Sequence, residues 1–242
     1  MIHDDHFPDV EVPEEVVTGV AKTIVSRIPI IGNVLLNIRD EFANSRLLRK
    51  MERFEELLSG INDSLSQLED KVNQDYISKT DCADILERTI QAVVIERLKE
   101  KRVAYKNLLV NSIVAPNANF DRTEKYLQLL SQMTKIDILL LHTLHNPKKI
   151  NSQKGNPIKD PFTDEEGKKY TSFQREYKVQ DLLHNLWKFD KEDITDSMAF
   201  LFQHRLIKDE NHIEISNGHP IETLENRLTE KGKEFVKFIL EP

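Results

Sequence analysis

Residues 47–72, LLRKMERFEELLSGINDSLSQLEDKV, place apolar side chains in alternating steps of four and three. This 3.5-residue period keeps one narrow seam of side chains facing a partner helix, so it predicts coiled-coil-like packing. The seam consists of Leu47, Met51, Phe54, Leu58, Ile61, Leu65, Leu68 and Val72. The sequence leaves open whether the seam closes within one chain or between two copies in a homodimer.

A second apolar periodicity follows and predicts one long helix over 81–113. Its apolar positions are Ile85, Leu86, Ile90, Val93, Val94, Leu98, Tyr105, Leu108 and Leu109. The short connection between the two helices predicts an antiparallel hairpin. Gly60 and the polar residues that follow it are poor helix formers, so a break of the first helix is expected at 60–64.

The composition excludes several classes of protein. The chain has 242 residues, a formal net charge of −7 and only seven glycines. The negative charge argues against general affinity for nucleic acid or acidic membranes. Few glycines argue against phosphate-cradling loops. The single cysteine, Cys82, rules out an intrachain disulfide, and the acidic start MIHDDHFPDV does not resemble a signal peptide. We expect a cytoplasmic protein.

The N-terminal region is predicted to be a flexible arm over 1–12, followed by helices from Pro13 onward. Apolar residues form a stripe over Val16–Ile38, which has two interpretations. A membrane-inserting effector would need about 20 mostly apolar residues, and Lys22, Arg27 and Pro29 interrupt the stripe. Two amphipathic helices packed on the hairpin are therefore favoured, with membrane insertion left to a triggered state.

Basic residues on both hairpin helices raise the question of phosphate binding. They are Arg46, Arg49, Lys50, Arg53, Arg97, Lys99, Lys101, Arg102 and Lys106. Glutamates are interleaved with them, and mixed signs on a helix are typical of a solvated face with ion pairs. Nucleic acid is therefore not the expected partner of these helices.

The second half begins after Ala115 with further helices. Asp121 and Thr134 are predicted helix caps, and the run Ile136–Leu144 is predicted to be buried. A flexible loop is predicted over 148–172, where lysines, prolines and acidic residues replace the apolar pattern.

The C-terminal part is predicted to contain two helices, then a small wing and then a last helix. The two helices are predicted around 178–187 and 194–204, and the wing strands at His212–Ser216 and Thr223–Arg227. Thr229 is the predicted cap of the last helix. With Thr134–His145 as its first helix, this order resembles a winged helix-turn-helix, as do HRLIKDE and LTEKGKEFVKFI.

Leu108–Leu240 also resembles the Abi-alpha type of phage abortive-infection proteins. The resemblance is carried by LLVNSIV, by YLQLLSQMTKIDILLLHTL and by the short-helix, wing and LTEKGKEFVKFI ending. It implies a bacterial or prophage protein that acts through contacts and supplies no catalytic residues.

Candidate catalytic and metal sites are not found in the sequence. There is no Gly-x-Ser-x-Gly, no glycine loop for phosphate and no cysteine pair for zinc. His142 with His145, and His3 with His6, have a usable spacing but no third ligand nearby. Cys82 lies at a predicted helix start, where a thiolate is favoured, although a small core residue is the commoner role. Trp187 is interpreted as core packing. We expect no enzyme activity, no cofactor and no metal.

The predicted fold class is mainly α: a helical bundle with a long antiparallel hairpin over 13–115, then a winged-helix-like domain over 116–242 with a small two-stranded wing. The favoured function is a non-enzymatic protein-interaction or regulatory module, in phage defence if the resemblance holds. The alternatives are a winged-helix DNA-binding regulator and a membrane-active effector that uses residues 16–38. Acidic residues at the start of the 194–204 helix argue against the regulator, because phosphate repels them.

Overall fold

The computed structural model describes residues 48–68, 71–73, 76, 79–114, 119–158, 175–208, 213–216 and 220–240. The arm predicted over 1–12, the helices from Pro13 and the stripe Val16–Ile38 lie outside these residues, as does Leu47.

The described part of the chain is mainly helical. In order, its elements are α1 (Leu48–Gln67), α2 (Thr80–Ile95), α3 (Lys99–Ile113), α4 (Phe120–Gln132), α5 (Lys135–His145), α6 (Pro147–Gln153), β1 (Arg175–Lys178), α7 (Val179–Trp187), α8 (Lys191–Gln203), β2 (Ile213–Ser216), the 3-10 helix η1 (Pro220–Leu224) and α9 (Glu230–Leu240). Two compact units divide between Leu127 and Gln128, inside α4. The domain boundary predicted at 115/116 adjoins residues 115–118, which are not among those described.

Over residues 48–113, the described part of unit 1 forms three packed helices where the sequence predicted two. The single helix predicted over 81–113 is wrong, because the chain leaves helical geometry at Glu96 (ψ 126°) and resumes it after Leu98. The Glu96 carboxylate accepts a hydrogen bond from the Leu98 backbone N–H at 2.9 Å and lies 3.5 Å from Lys101 Nζ. A side chain thus satisfies the backbone in place of a helical carbonyl, which stabilises the break without glycine or proline.

Helix α1 is continuous through Gly60, so the break expected at 60–64 is also wrong. A Cβ added at Gly60 would lie 2.8 Å from Cδ of Lys106, whose Nζ donates to the Ser64 hydroxyl at 3.2 Å. The lack of a side chain at Gly60 and the hydroxyl at Ser64 therefore serve helix packing. Tertiary contact overrides the weak local propensity.

The core of unit 1 lies among α1, α2 and α3. Its largest fully buried side chains are Phe54, Leu58, Ile61 and Leu65 from α1, Ile85, Leu86 and Ile90 from α2, and Leu108 and Ile113 from α3. Beyond α1, Val72 forms an antiparallel bridge with Val114, and the Asn73 N–H donates to the Ile113 carbonyl at 2.9 Å. The end of the predicted seam is thus attached to the end of α3.

Unit 2 combines helices with one antiparallel strand pair. Strand β2 lies within the predicted His212–Ser216, but it pairs with β1, so that Arg175 faces Ser216 and Lys178 faces Ile213. The second predicted strand, Thr223–Arg227, is wrong, since η1 covers its first residues and a turn follows. Ile221 and Leu224 are both buried, and this spacing of three residues suits a helical turn rather than a strand.

The loop predicted over 148–172 is wrong at its start. Pro147 occupies the first turn of α6, and Ile150 is buried. Asn151 accepts from the Ile158 backbone N–H at 3.0 Å and donates to the Ile158 carbonyl at 3.1 Å. These bonds order the chain through Ile158, while residues 159–174 lie outside the described part.

Side chains cap three of the described helices, α4, α5 and α9, whereas α2, α3, α6, α7 and α8 have no side-chain cap hydrogen bond. Thr134 and Asp137 form a capping box at α5, as predicted for Thr134, and buried Asp137 also accepts a hydrogen bond from Ser197 of α8. Thr229 accepts from the Gly232 N–H at 2.9 Å, which confirms it as the cap of α9. At α4 the prediction of Asp121 is wrong, since Asn119 accepts from the Arg122 N–H at 2.9 Å.

Among the residues that the structure describes, four other than glycine have left-handed backbone geometry, and all four lie in unit 2. They are Asn156, Lys188, Arg205 and Asn226, with φ between 56° and 59°. Lys188 ends α7, where its N–H donates to the His184 carbonyl at 2.7 Å. Arg205 lies in the turn after α8, and its N–H donates to the Phe202 carbonyl at 2.8 Å.

Candidate interaction surfaces

The heptad seam closes inside unit 1 over its described central part. Phe54, Leu58, Ile61 and Leu65 are each at most 2% exposed, against α2 and α3 of the same chain. Leu68 and Val72 are half-buried, and nothing is described of Leu47 or of the Met51 side chain. These four central side chains have no exposed surface left to contact a second copy of the chain. Their burial therefore does not support a homodimer through this seam, which stays a prediction.

A shallow cleft of about 40 Å³ lies among α1, α2 and α3. Leu57, Val93 and Val103 provide its apolar surface, and the remaining lining residues are Arg53, Glu56, Arg102 and Lys106. Its volume is far below the roughly 300–1,000 Å³ of typical small-molecule sites. The cleft is suited to one small group or one side chain rather than to a cofactor.

The cations of this cleft are positioned by hydrogen bonds within unit 1. Arg53 donates to the Val94 carbonyl at 2.9 Å, at the C-terminal end of α2. Arg102 donates to the Glu56 carboxylate at 2.9 Å and to the Arg97 carbonyl at 3.1 Å. Burial lowers the pKa of Lys106, although nearby Asp63 opposes this change. Three cations and one carboxylate leave the cleft positively charged in a chain of net charge −7.

Apolar side chains are exposed close to this cleft. Ile95, the last residue of α2, is 66% exposed, and Val103, which lines the cleft, is 43% exposed. These two residues stand on either side of the helix break at 96–98. Large apolar side chains beside an apolar cleft are a common mark of a contact surface.

In unit 2, helix α8 exposes an acidic face. Glu192, Asp196, Ala199 and Gln203 follow one another at helical spacing and are all exposed. Phe202, 44% exposed, lies beside them and defines the edge of what we call the α8 face. The neighbouring Lys191 is neutralised by Asp181, whose oxygen lies 2.6 Å from its Nζ.

The sequence interpretation missed the exposure of Phe202. The buried residues of α8 are Ile194, Ser197, Met198 and Leu201, which repeat at steps of three and four. Phe202 falls outside that repeat, and this spacing was the available signal. Phe200 is instead half-buried and packs against His204, with ring centroids 4.4 Å apart.

Trp187 is half-buried rather than a core residue. Its Nε1 donates to the Thr143 hydroxyl at 2.9 Å, Phe189 stacks at 6.2 Å, and Lys154 Nζ lies 4.0 Å from the ring centroid. All of its polar and aromatic contacts lie within unit 2. The single tryptophan therefore reports on the folding of that unit.

The described residues do not assemble a metal site. No group of three or more His, Cys, Asp or Glu side chains in that part of the chain is placed to hold an ion. His142 and His145 are half-buried on α5, and His3 and His6 lie outside the described residues. None of the described helices is both long and apolar enough to cross a bilayer.

Cys82 is buried, and burial raises the pKa of its thiol to about 12. The thiolate favoured at a helix start is therefore the wrong interpretation, and the role of a small core residue is the right one. Desolvation outweighs the attraction of the helix end at this position.

Comparison with known proteins adds no identification: no family model matches this chain, and neither a curated protein nor a solved structure does.

Proposed function

We propose that this protein is a non-enzymatic protein-interaction module whose α8 face binds a basic surface of a partner protein. The observation that carries the proposal is the α8 face itself. Glu192 and Asp196 expose carboxylates in the first two turns, and Phe202 exposes an aromatic ring one turn beyond Ala199. An aromatic anchor next to like charges is the usual composition of an electrostatically steered contact.

The proposal includes a winged-helix-like module in unit 2. Its support is the order α5, α6, β1, α7, α8, β2, in which the antiparallel partners β1 and β2 lie before and after the two helices α7 and α8. In DNA-binding members of this architecture, the second helix of the pair enters the major groove. Here that helix is α8, and phosphate would repel its carboxylates. We therefore propose a protein partner for the same surface.

The three packed helices of unit 1 take the place of the predicted antiparallel hairpin in this proposal. Arg53 on the first half of α1 contacts Val94 at the end of α2, which supports opposite directions for these two helices. The resemblance to Abi-alpha-type proteins extends the proposal to phage defence in a bacterial cytoplasm.

The test is a capture experiment with matched variants of the full chain. Tagged wild-type protein, Phe202→Ala, Asp196→Lys and the control Asp84→Lys are incubated with lysate, and the retained proteins are identified by mass spectrometry. Asp84 is exposed on α2 in unit 1, so its substitution makes the same charge change outside unit 2. A parallel sample is digested with nuclease.

The partner is then purified and its affinity is measured at rising salt. We expect Phe202→Ala and Asp196→Lys each to weaken binding by about tenfold, while Asp84→Lys retains wild-type affinity. Binding should weaken with salt because opposite charges attract across the contact. Equal capture by all four proteins, or capture that disappears after nuclease digestion, would contradict the proposal.

A further inference from the structure

The cleft of unit 1 has a chemistry that predicts its occupant. Buried Leu57 and Val93 and the exposed Val103 offer an apolar surface. Arg53, Arg102 and Lys106 surround it, and Glu56 is the one carboxylate among the lining residues. An apolar side chain flanked by carboxylates complements this arrangement, because it covers the valine and neutralises the remaining positive charge.

The chain contains a segment of this composition close to its N-terminus. Residues 7–12 read Phe-Pro-Asp-Val-Glu-Val, and neither lysine nor arginine occurs before Lys22. Apolar and acidic residues alternate from Asp9 to Val12. The segment thus contains both kinds of side chain that complement the cleft, an apolar residue and two carboxylates on either side of it.

The position of this segment in the chain also favours its binding in the cleft. Residues 13–47 join this segment to Leu48, the first residue of α1. Arg53 and Leu57, which line the cleft, lie within the first half of α1. The segment and the cleft thus belong to one chain, and this covalent connection raises the effective concentration of the segment at the cleft.

We infer that residues 7–12 of the same chain bind in the cleft of unit 1, with Val10 against Val103 and the carboxylates of Asp9 and Glu11 facing Arg102 and Lys106. The inference concerns unit 1 alone and does not depend on the function proposed for the α8 face. It assigns an intramolecular ligand to a surface that would otherwise leave Val103 exposed beside three half-buried cations.

Disulfide trapping in the full-length chain tests this inference. Val10→Cys is combined with Val103→Cys, or with Asp84→Cys as the control, since Asp84 is exposed near the opposite end of α2. Cys82 stays in place because it is buried. Under mild oxidation we expect the 10–103 pair to form an intramolecular disulfide about tenfold faster than the 10–84 pair.

Charge reversal separates specific docking from random collision. Asp9→Lys with Glu11→Lys should slow trapping of the 10–103 pair by about fivefold, and added salt should slow it in the unreversed chain. These substitutions change none of the residues that line the cleft, so they leave its described side chains as they are. Adding Arg102→Glu and Lys106→Glu should restore the rate.

Three results would overturn the inference. Equal rates for the 10–103 and 10–84 pairs would show that the segment has no preferred position. A rate unchanged by charge reversal would remove the electrostatic match. Covalent dimers in place of intramolecular products would assign the cleft to a second copy of the chain.

Discussion

The seam of α1 and the joint between α9 and the turn after α8 are held together in different ways: the seam is buried, whereas the joint combines the buried Leu206 and Gly232 with the half-buried Thr229. In the seam, Phe54, Leu58, Ile61 and Leu65 are buried where α1 packs against α2 and α3. At the joint, Thr229 donates from its hydroxyl to the Arg205 carbonyl at 2.6 Å and accepts from Gly232, while its N–H donates to the Leu206 carbonyl at 3.0 Å. The seam is therefore specified by the spacing of its apolar residues, whereas the joint is specified by single residues, namely Thr229 and Gly232.

The largest expected effect is on the seam. Leu58→Asp should remove cooperative folding of unit 1, because a buried Leu→Ala change already loses about 2–5 kcal/mol and the carboxylate would lack a partner. Leu58→Met, which preserves volume, should lose less than about 1.5 kcal/mol. Urea denaturation, with the alkylation of Cys82 as the probe of unfolding, measures the stability of both variants.

Light scattering on wild type and Leu58→Asp separates packing within the chain from packing between chains. An unfolded monomer is expected. A wild-type dimer that becomes a folded monomer would show instead that the seam joins two copies. A variant as stable as the wild type would remove the organising role of the seam.

The joint should be nearly as sensitive to substitution as the seam is, even when only one methyl group is added. A Cβ at residue 232 would lie 2.0 Å from the Leu206 carbonyl oxygen, so Gly232→Ala should destabilise unit 2 by about 1–3 kcal/mol. An exposed helical glycine would gain stability from the same change. Chemical denaturation followed by Trp187 fluorescence measures the effect.

Gly155→Ala is the control for this substitution. Gly155 has φ 78° and open space around it, so an alanine there is strained without a clash. Its loss should be smaller, about 1 kcal/mol. If Gly232→Ala is neutral, α9 is free to move away from the turn, and the joint tolerates substitution as the seam does.

The burial of Cys82 in the apolar interior of unit 1 should make the stability of the protein depend on pH. The pKa of Cys82 is raised from 9.0 to about 12 by burial, so the folded state retains a proton that the unfolded state releases. This contribution to stability is complete below about pH 9 and is lost as the pH rises toward 12. From pH 8 to pH 10 the loss should be about 1 kcal/mol.

Cys82→Ala is the control, because it should lack this part of the decline. The pKa values of Tyr76 and Tyr105 are likewise raised to about 12, from 10.0, so these residues act mainly above pH 10. Urea denaturation of both proteins at each pH gives the difference. Parallel curves would show that the thiol titrates in the folded state as it does in the unfolded chain.

The smallest effect is expected on the solvent side of α1. Glu52 is exposed, and the Glu56 side chain is 50% exposed beside Arg102, so Glu52→Ala and Glu56→Ala should each change stability by less than about 0.5 kcal/mol. Thermal denaturation checks this. A larger loss for Glu56→Ala would mean that its ion pair belongs to the interior of unit 1 and that spacing alone does not specify the seam.

The sequence predicted those parts of the fold that depend on periodicity or on a cap with a local signature. The α1 seam, the buried α5 and the caps Thr134 and Thr229 are of this kind. The break at Glu96 was missed because a carboxylate replaces a helical carbonyl there, and no glycine or proline marks it. The partner of β2 was missed because strand pairing is a long-range contact, and β1 follows a stretch without pattern.

The candidate surfaces could be predicted only in part. The acidic start of α8 was evident from Glu192 and Asp193, and so was its conflict with DNA. The cleft was not, because Arg53, Arg102 and Lys106 come together only once α1 packs against α3. The packing of the helices decides which charged residues come into contact. The spacing of these residues along the sequence carries no information on those contacts.

The left-handed residues of unit 2 have an evolutionary consequence. Lys188 and Arg205 occupy geometry that glycine adopts without steric cost and that asparagine tolerates well. A change to glycine at either position would relieve local strain, so selection for stability alone has not exhausted the options in these turns. As sister sequences diverge from this one, glycine and asparagine should accumulate at 188 and 205, while 232 should remain glycine.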